Sequence, residues 1–155
     1  MMHDDILKVL RRRYGRKLYG NGGYRYAVIG NVGNYRGFAD GGQRRADAVM
    51  LSLWKSDGLK IVGFEFKVSR TDFRNELKQP DKWRGIGRFC DAWYIVAPTG
   101  VLKKSEVPDP WGLMVVTDDT VKTSKRAKPL TPEPLGREFI VDVLHRWNRA
   151  MEAIP

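Results

Sequence analysis

Asp47, Glu65 and Lys67 are the residues whose types and spacing could do chemistry together in this chain. Asp47 stands in Arg45-Ala46-Asp47-Ala48-Val49, and the other two stand in Gly63-Phe64-Glu65-Phe66-Lys67-Val68-Ser69. Strand side chains alternate in direction, so Glu65 and Lys67 share one face while Phe64, Phe66 and Val68 take the other. Two carboxylates about 4 Å apart at an effective dielectric near 20 repel by roughly 4 kcal/mol, so one protonates unless a cation lies between them. A hard divalent ion removes that conflict. Mg2+, with Mn2+ as a substitute, takes oxygen ligands, keeps several waters and commonly binds one or two carboxylates together with substrate phosphate. Such an ion can activate water, and a nearby ammonium can orient the nucleophile and neutralise developing charge.

A hairpin has to bring these groups together. Two apolar runs, Arg45 to Trp54 and Leu59 to Val68, flank Lys55-Ser56-Asp57-Gly58. A three-residue loop, Ser56-Asp57-Gly58, with glycine in the left-handed position, pairs Lys55 with Leu59. Counting back sets Val49 opposite Glu65, and Asp47 opposite Lys67 and diagonal to Glu65, all on one side. A lone Glu-x-Lys in a strand is more often a solvated cross-strand ion pair. The order Asp, hairpin, Glu-x-Lys, helix is far more specific. The helix follows at once: Ser69 caps it from about Arg70, Asp72 lies three residues on, and Phe73 and Leu77 supply an apolar stripe. Pro80 should interrupt that helix or open another turn through Trp83 to Phe89.

Around this core the spacing predicts a short basic-ended helix over His3 to Arg13 and a strand over Tyr24 to Val32. Further strands are expected at Asp91 to Pro98 and Trp111 to Thr117, and a final amphipathic helix carries Phe139, Ile140, Val143, Leu144, Trp147 and Met151. Lys122 to Pro134, with three prolines and four basic residues, reads as an extended surface segment. Trp83, Trp93, Trp111, Trp147 and Cys90 fall in apolar patterns and read as core.

The order of these parts resembles the PD-(D/E)XK nuclease superfamily. Arg45-Ala46-Asp47, the run from Glu65 to Phe73, the run from Cys90 to Pro98, and Trp111 to Val116 resemble its MmcB-like DNA-repair branch and phage-type relatives. The likeness runs from about Arg44 to Val116, close to half the chain. It implies an α/β fold with a restriction-endonuclease-like core, a central mixed β-sheet flanked by α-helices. It also implies Asp47 and Glu65 as metal ligands, the Phe66 carbonyl as a further ligand, and Lys67 positioning the attacking water. Ala46 stands where the nominal motif has proline, a position that supplies no ligand. An acid on the first helix sometimes completes such sites, and Asp4 and Asp5 are the candidates there, although acids at a helix start also favour its dipole.

The bulk properties fit this reading. A chain of 155 residues with 42% hydrophobic content fits one domain, divided into a basic Gly/Tyr-rich segment at about 15–43, a core at 44–117 and a C-terminal helix at about 135–152. That segment holds nine of the 16 glycines with Arg16, Lys17, Arg25 and Arg36, and reads either as a surface hairpin or as a stacking and phosphate-contacting stretch. A net charge of +10 favours nucleic acid, an anionic membrane surface or another polyanion, among which the resemblance implies DNA. Arg44 and Arg45 border Asp47. Arg70, Arg74 and Lys78 lie four apart on the expected helix, as either a phosphate-tracking stripe or a solvated face, and Ser69 sits beside the site as well as capping. One cysteine and two distant histidines argue against disulfide or zinc chemistry. No apolar run reaches the length of a signal or membrane segment, so a cytoplasmic protein is expected. The function expected is a Mg2+-dependent deoxyribonuclease of DNA repair or phage DNA metabolism. Its rivals are a non-catalytic DNA-binding module on the same fold and an RNA-binding protein. A homodimer is the assembly to look for in a nuclease that cuts two strands, although no seam is visible in the sequence.

Overall fold

The computed structural model describes residues 1–15, 23–33 and 44–152; most of the Gly/Tyr-rich segment, with Arg16, Lys17 and Arg36, lies outside them. Six strands form one mixed sheet in chain order: β1 (Tyr26–Gly33), β2 (Arg45–Ser52), β3 (Ile61–Phe66), β4 (Ala92–Pro98), β5 (Gly112–Val116) and β6 (Val121–Lys125). The pairs β1–β2, β2–β3 and β5–β6 are antiparallel, whereas β3–β4 and β4–β5 are parallel. Parallel neighbours need crossovers. The one between β3 and β4 carries helices α2 (Arg70–Leu77) and α3 (Arg84–Gly87); α1 (His3–Tyr14) and α4 (Arg137–Glu152) flank the sheet at either end of the chain.

Each face of the sheet has its own apolar layer. Ile6, Val9 and Leu10 of α1 pack with Val28, Ala48, Phe64, Phe66, Val96 and Met114. On the opposite face Phe73, Ile86, Phe89 and Phe139 of the later helices and their loops meet Ile29, Val49, Trp93, Ile95 and Leu113. Helices on both faces therefore bury the parallel strands from two sides, as such strands require. Trp93 and Trp111 are core, Trp83 and Trp147 pack against it, and Cys90 is fully buried with its thiol pushed up to about 12 by desolvation.

Two expectations are corrected here. The β2–β3 turn is longer than a three-residue loop: the Ser52 amide donates to the Lys60 carbonyl at 2.9 Å, and a 3-10 turn at Lys55–Asp57 leads to Gly58 and Leu59, both at positive φ. Val49 therefore pairs with Gly63, not Glu65. The shift is an even number of residues, so the side chains of the paired stretch from Ala48 to Leu51 keep their expected faces. The other correction concerns Lys122 to Pro134, which is not extended surface throughout. Val121–Lys125 is an edge strand whose lysines disguise it, and charged residues of this kind are how exposed sheet edges resist further pairing.

Candidate functional site

The site forms where β2 and β3 stop pairing. Their last backbone pair toward this end is Ala48 with Phe64, and continuing the register sets Asp47 level with Glu65 rather than with Lys67. Where another ladder bond would come, the Phe66 amide donates instead to Asp47 Oδ2 at 2.7 Å. On the other side of β2, Asn31 occupies the left-handed region (φ 57°) between the pairs Gly30–Ala48 and Val32–Ala46, and its carbonyl accepts from Arg45 at 3.2 Å. Asparagine tolerates that conformation better than most residues. The alternation of faces slips there, because Ala46 and Ala48, two apart on one strand, join opposite apolar layers. Asp47 thus sits at a break in the sheet, turned toward β3.

Glu65 and Lys67 lie at the carboxyl end of β3, where the Lys67 amide still bonds the Val96 carbonyl of β4 at 2.9 Å. Lys67 Nζ donates to Glu65 Oε1 at 3.1 Å and to Glu76 Oε2 at 2.8 Å, and its side chain is 9% exposed. Burial works against that ammonium, but Glu65 and Glu76 outweigh it and raise the Lys67 pKa, so the residue is a cation rather than a neutral base. Glu65 moves the opposite way to most surface acids. Burial first, then the Asp47 carboxylate, raise its pKa from 4.5 to about 7, against a smaller opposing pull from Lys67. The Asp47 carboxylate is thus near enough to Glu65 for its charge to be the second cause of that shift.

Glu76 was not anticipated. The expected stripe was Phe73 with Leu77, yet Leu77 is exposed and the residues α2 buries are Phe73 and Glu76. The signal was available in the sequence, since Glu76 lies three residues after Phe73 and so shares its face. Lys82, beyond the helix, also donates to Glu76 Oε2 at 3.3 Å. Neither Asp4 nor Asp5 joins the site: Asp5 accepts from the Met2 amide and caps α1, and Asp4 is exposed. His3 takes that place instead, with Nδ1 3.5 Å from Asp47 Oδ1 and its ring edge-on to Phe66. His3, Phe66, Lys67, Asp72, Asn75, Glu76, Gln79 and Lys82 line an open cleft of about 350 Å³.

The basic residues have mixed fates. Ser69 caps α2, accepting from the Asp72 amide at 3.1 Å. Arg70, Arg74 and Lys78 are all exposed along α2 and its end, but Arg70 is engaged by Glu106, with Nε 3.0 Å from Oε1. Arg44 is exposed just before β2.

The donor set suits a hard cation. Asp47 and Glu65 offer carboxylate oxygens. In an extended residue the N–H and C=O point to the same strand edge, so the Phe66 carbonyl faces Asp47 as its amide does. Among the described residues no group of three or more His, Cys, Asp and Glu is placed to hold a metal ion. A cation here would rest on two carboxylates and a carbonyl and leave its other positions to water or phosphate, which is how Mg2+ commonly binds.

No protein family matches this chain by sequence, and no curated protein does. In structure it is similar to the SPO1766 protein of unknown function from Silicibacter pomeroyi, with a TM-score of 0.65 and 19% identity over 97% of this chain and 86% of that one. At that identity the likeness concerns the fold alone.

Proposed function

We propose that this protein is a Mg2+-dependent deoxyribonuclease with a restriction-endonuclease-like core, of the PD-(D/E)XK type and nearest its MmcB-like branch. The reading rests on Asp47 bonding the Phe66 amide and Lys67 bonding Glu65 at the splayed end of β2 and β3, with Glu65 driven toward protonation by its burial and by the Asp47 charge. Nothing structural is gained by forcing two acids together. A bound divalent ion reverses that penalty, and it would supply charge neutralisation on the phosphate and a more acidic water. Asp47, Glu65 and the Phe66 carbonyl would hold it. Lys67, kept charged, donates hydrogen bonds to the attacking water or to a phosphate oxygen as negative charge builds there. Lys82 of the cleft lining, together with Arg44, Arg45, Arg74 and Lys78, would hold the backbone of the nucleic acid, in keeping with a net charge of +10.

A second reading has an observation of its own. Lys67 is already satisfied by Glu65 and Glu76, and Asp47 by a backbone amide, as in a closed ion-pair network of a DNA-binding module without chemistry. A cleavage panel of single-stranded, duplex, flapped and junction DNA with Mg2+ or Mn2+ separates the two. The nuclease cuts at least one form, and Glu65→Ala and Lys67→Ala abolish cutting while DNA affinity stays within a few-fold. DNA that stays intact in every form with both metals favours the binding module.

A further inference from the structure

Glu76 lies outside the three-residue constellation and is nevertheless the closest partner of its cation. We propose that Glu76 is the positioning residue for Lys67, holding its ammonium in place through catalysis; this inference rests on the nuclease reading above. The Lys67–Glu76 contact, at 2.8 Å, is shorter than the 3.1 Å contact to Glu65, and the Glu76 side chain is only 5% exposed. A buried carboxylate is tolerated where its charge is matched. Glu76 Oε2 is matched twice, by Lys67 from within and by Lys82, 39% exposed, from the cleft.

The need for a second anchor follows from the chemistry assigned to Glu65. An acid that shares its charge with a divalent ion has less to give an ammonium beside it. Glu76 keeps its full charge, and it projects from a helix fixed independently by the Ser69 cap and by the buried Phe73. With Glu65 ionised, Asp47, Glu65 and Glu76 against Lys67 and Lys82 leave one negative charge, which a divalent cation would turn into one positive charge facing an incoming phosphate. The Glu76 carboxylate lets two ammonium groups sit together without repelling each other out of the site.

The test uses the full-length protein with Mg2+ and whichever DNA form it cleaves. Misplacing a catalytic group by about 1 Å costs on the order of 100-fold, so Glu76→Ala should lower kcat by about that factor. Glu76→Gln, which keeps the shape and one acceptor oxygen, should lose about 10-fold on the same basis. KM and DNA affinity should stay within about three-fold in both, since the interaction lost belongs to the transition state. A second readout does not depend on cleavage: the Lys67 ammonium resonance, assigned by its absence in Lys67→Ala, should exchange with solvent slowly in the wild type and faster in both variants. Unchanged kcat, a parallel fall of kcat and affinity, or an unchanged Lys67 resonance would overturn the proposal, and Glu76→Gln decides it if Glu76→Ala does not fold. Wild-type protein that cleaves no DNA form would count against the nuclease reading, while the resonance would still report whether Glu76 fixes Lys67.

Discussion

Glu65 links the geometry of the site to a measurable pH dependence. Its pKa is raised in the fold to about 7 from an ordinary 4.5, by burial and by Asp47. Between those values the folded protein binds more protons than the unfolded chain, so without metal this group makes stability fall as pH rises from about 4.5 to about 7 and leaves it lower above that. Glu65→Gln cannot ionise and escapes the penalty. In EDTA, thermal unfolding should show the variant gaining on the wild type by several degrees between pH 5 and pH 8, given roughly 2–4 °C per kcal/mol for a chain of this size. An equal gap at both pH values would mean that Glu65 carries no such strain. Asp47, Glu65 and Lys67 were legible from residue type and strand alternation. Glu76 was legible only in its spacing from Phe73, a signal masked because an acid between basic residues reads as solvated, and His3 was not legible, because a lone histidine suggests no ligand set; their contacts with Lys67 and Asp47 give them a place.

The elements hold the site by close packing around the β2–β3–β4 junction. Gly63 lies between Val49 of β2 and Trp93 of β4, and a Cβ there would fall 2.3 Å from the Trp93 ring and 3.1 Å from Cys90 Sγ. Gly63→Ala should therefore destabilise the fold by about 1–3 kcal/mol through overpacking, as urea unfolding would measure. Ser69→Ala removes the cap of α2 and should cost about 1 kcal/mol, with a loss of activity that exceeds the loss of stability because Glu76 rides on that helix. A Ser69→Ala protein with wild-type stability would show that the cap does not hold α2. Element types were readable from periodicity, proline and capping. Register and the last strand were not: turn length decides register, and the 3-10 turn with two left-handed residues has a weaker signature than a tight hairpin. In β6 only Val121 is buried along an otherwise polar strand, so the alternation that marks a strand is nearly absent.

Across the whole molecule, a +10 charge accompanies a cleft that Lys67, Glu76 and Lys82 line beside α2. Arg70, Arg74 and Lys78 are exposed along α2 and its end, and of the three Arg70 is tied to Glu106. Arg74→Ala and Lys78→Ala should each weaken DNA binding regardless of sequence and reduce the salt slope by about one, as loss of a single phosphate contact does. Arg70→Ala should reduce it less. Slopes unchanged in all three would move the DNA path off this helix. No helix among the described residues is long and apolar enough to cross a membrane.

The decisive measurement is a Mn2+ titration of the intact protein at pH 8, followed by the loss of the free-ion electron paramagnetic resonance signal, in the wild type, Asp47→Asn and Glu65→Gln. The wild type should take up one ion that both variants fail to hold while keeping their circular dichroism. Uptake undiminished in the variants, or missing from the wild type, would contradict the assignment of this acidic pair as a cation site.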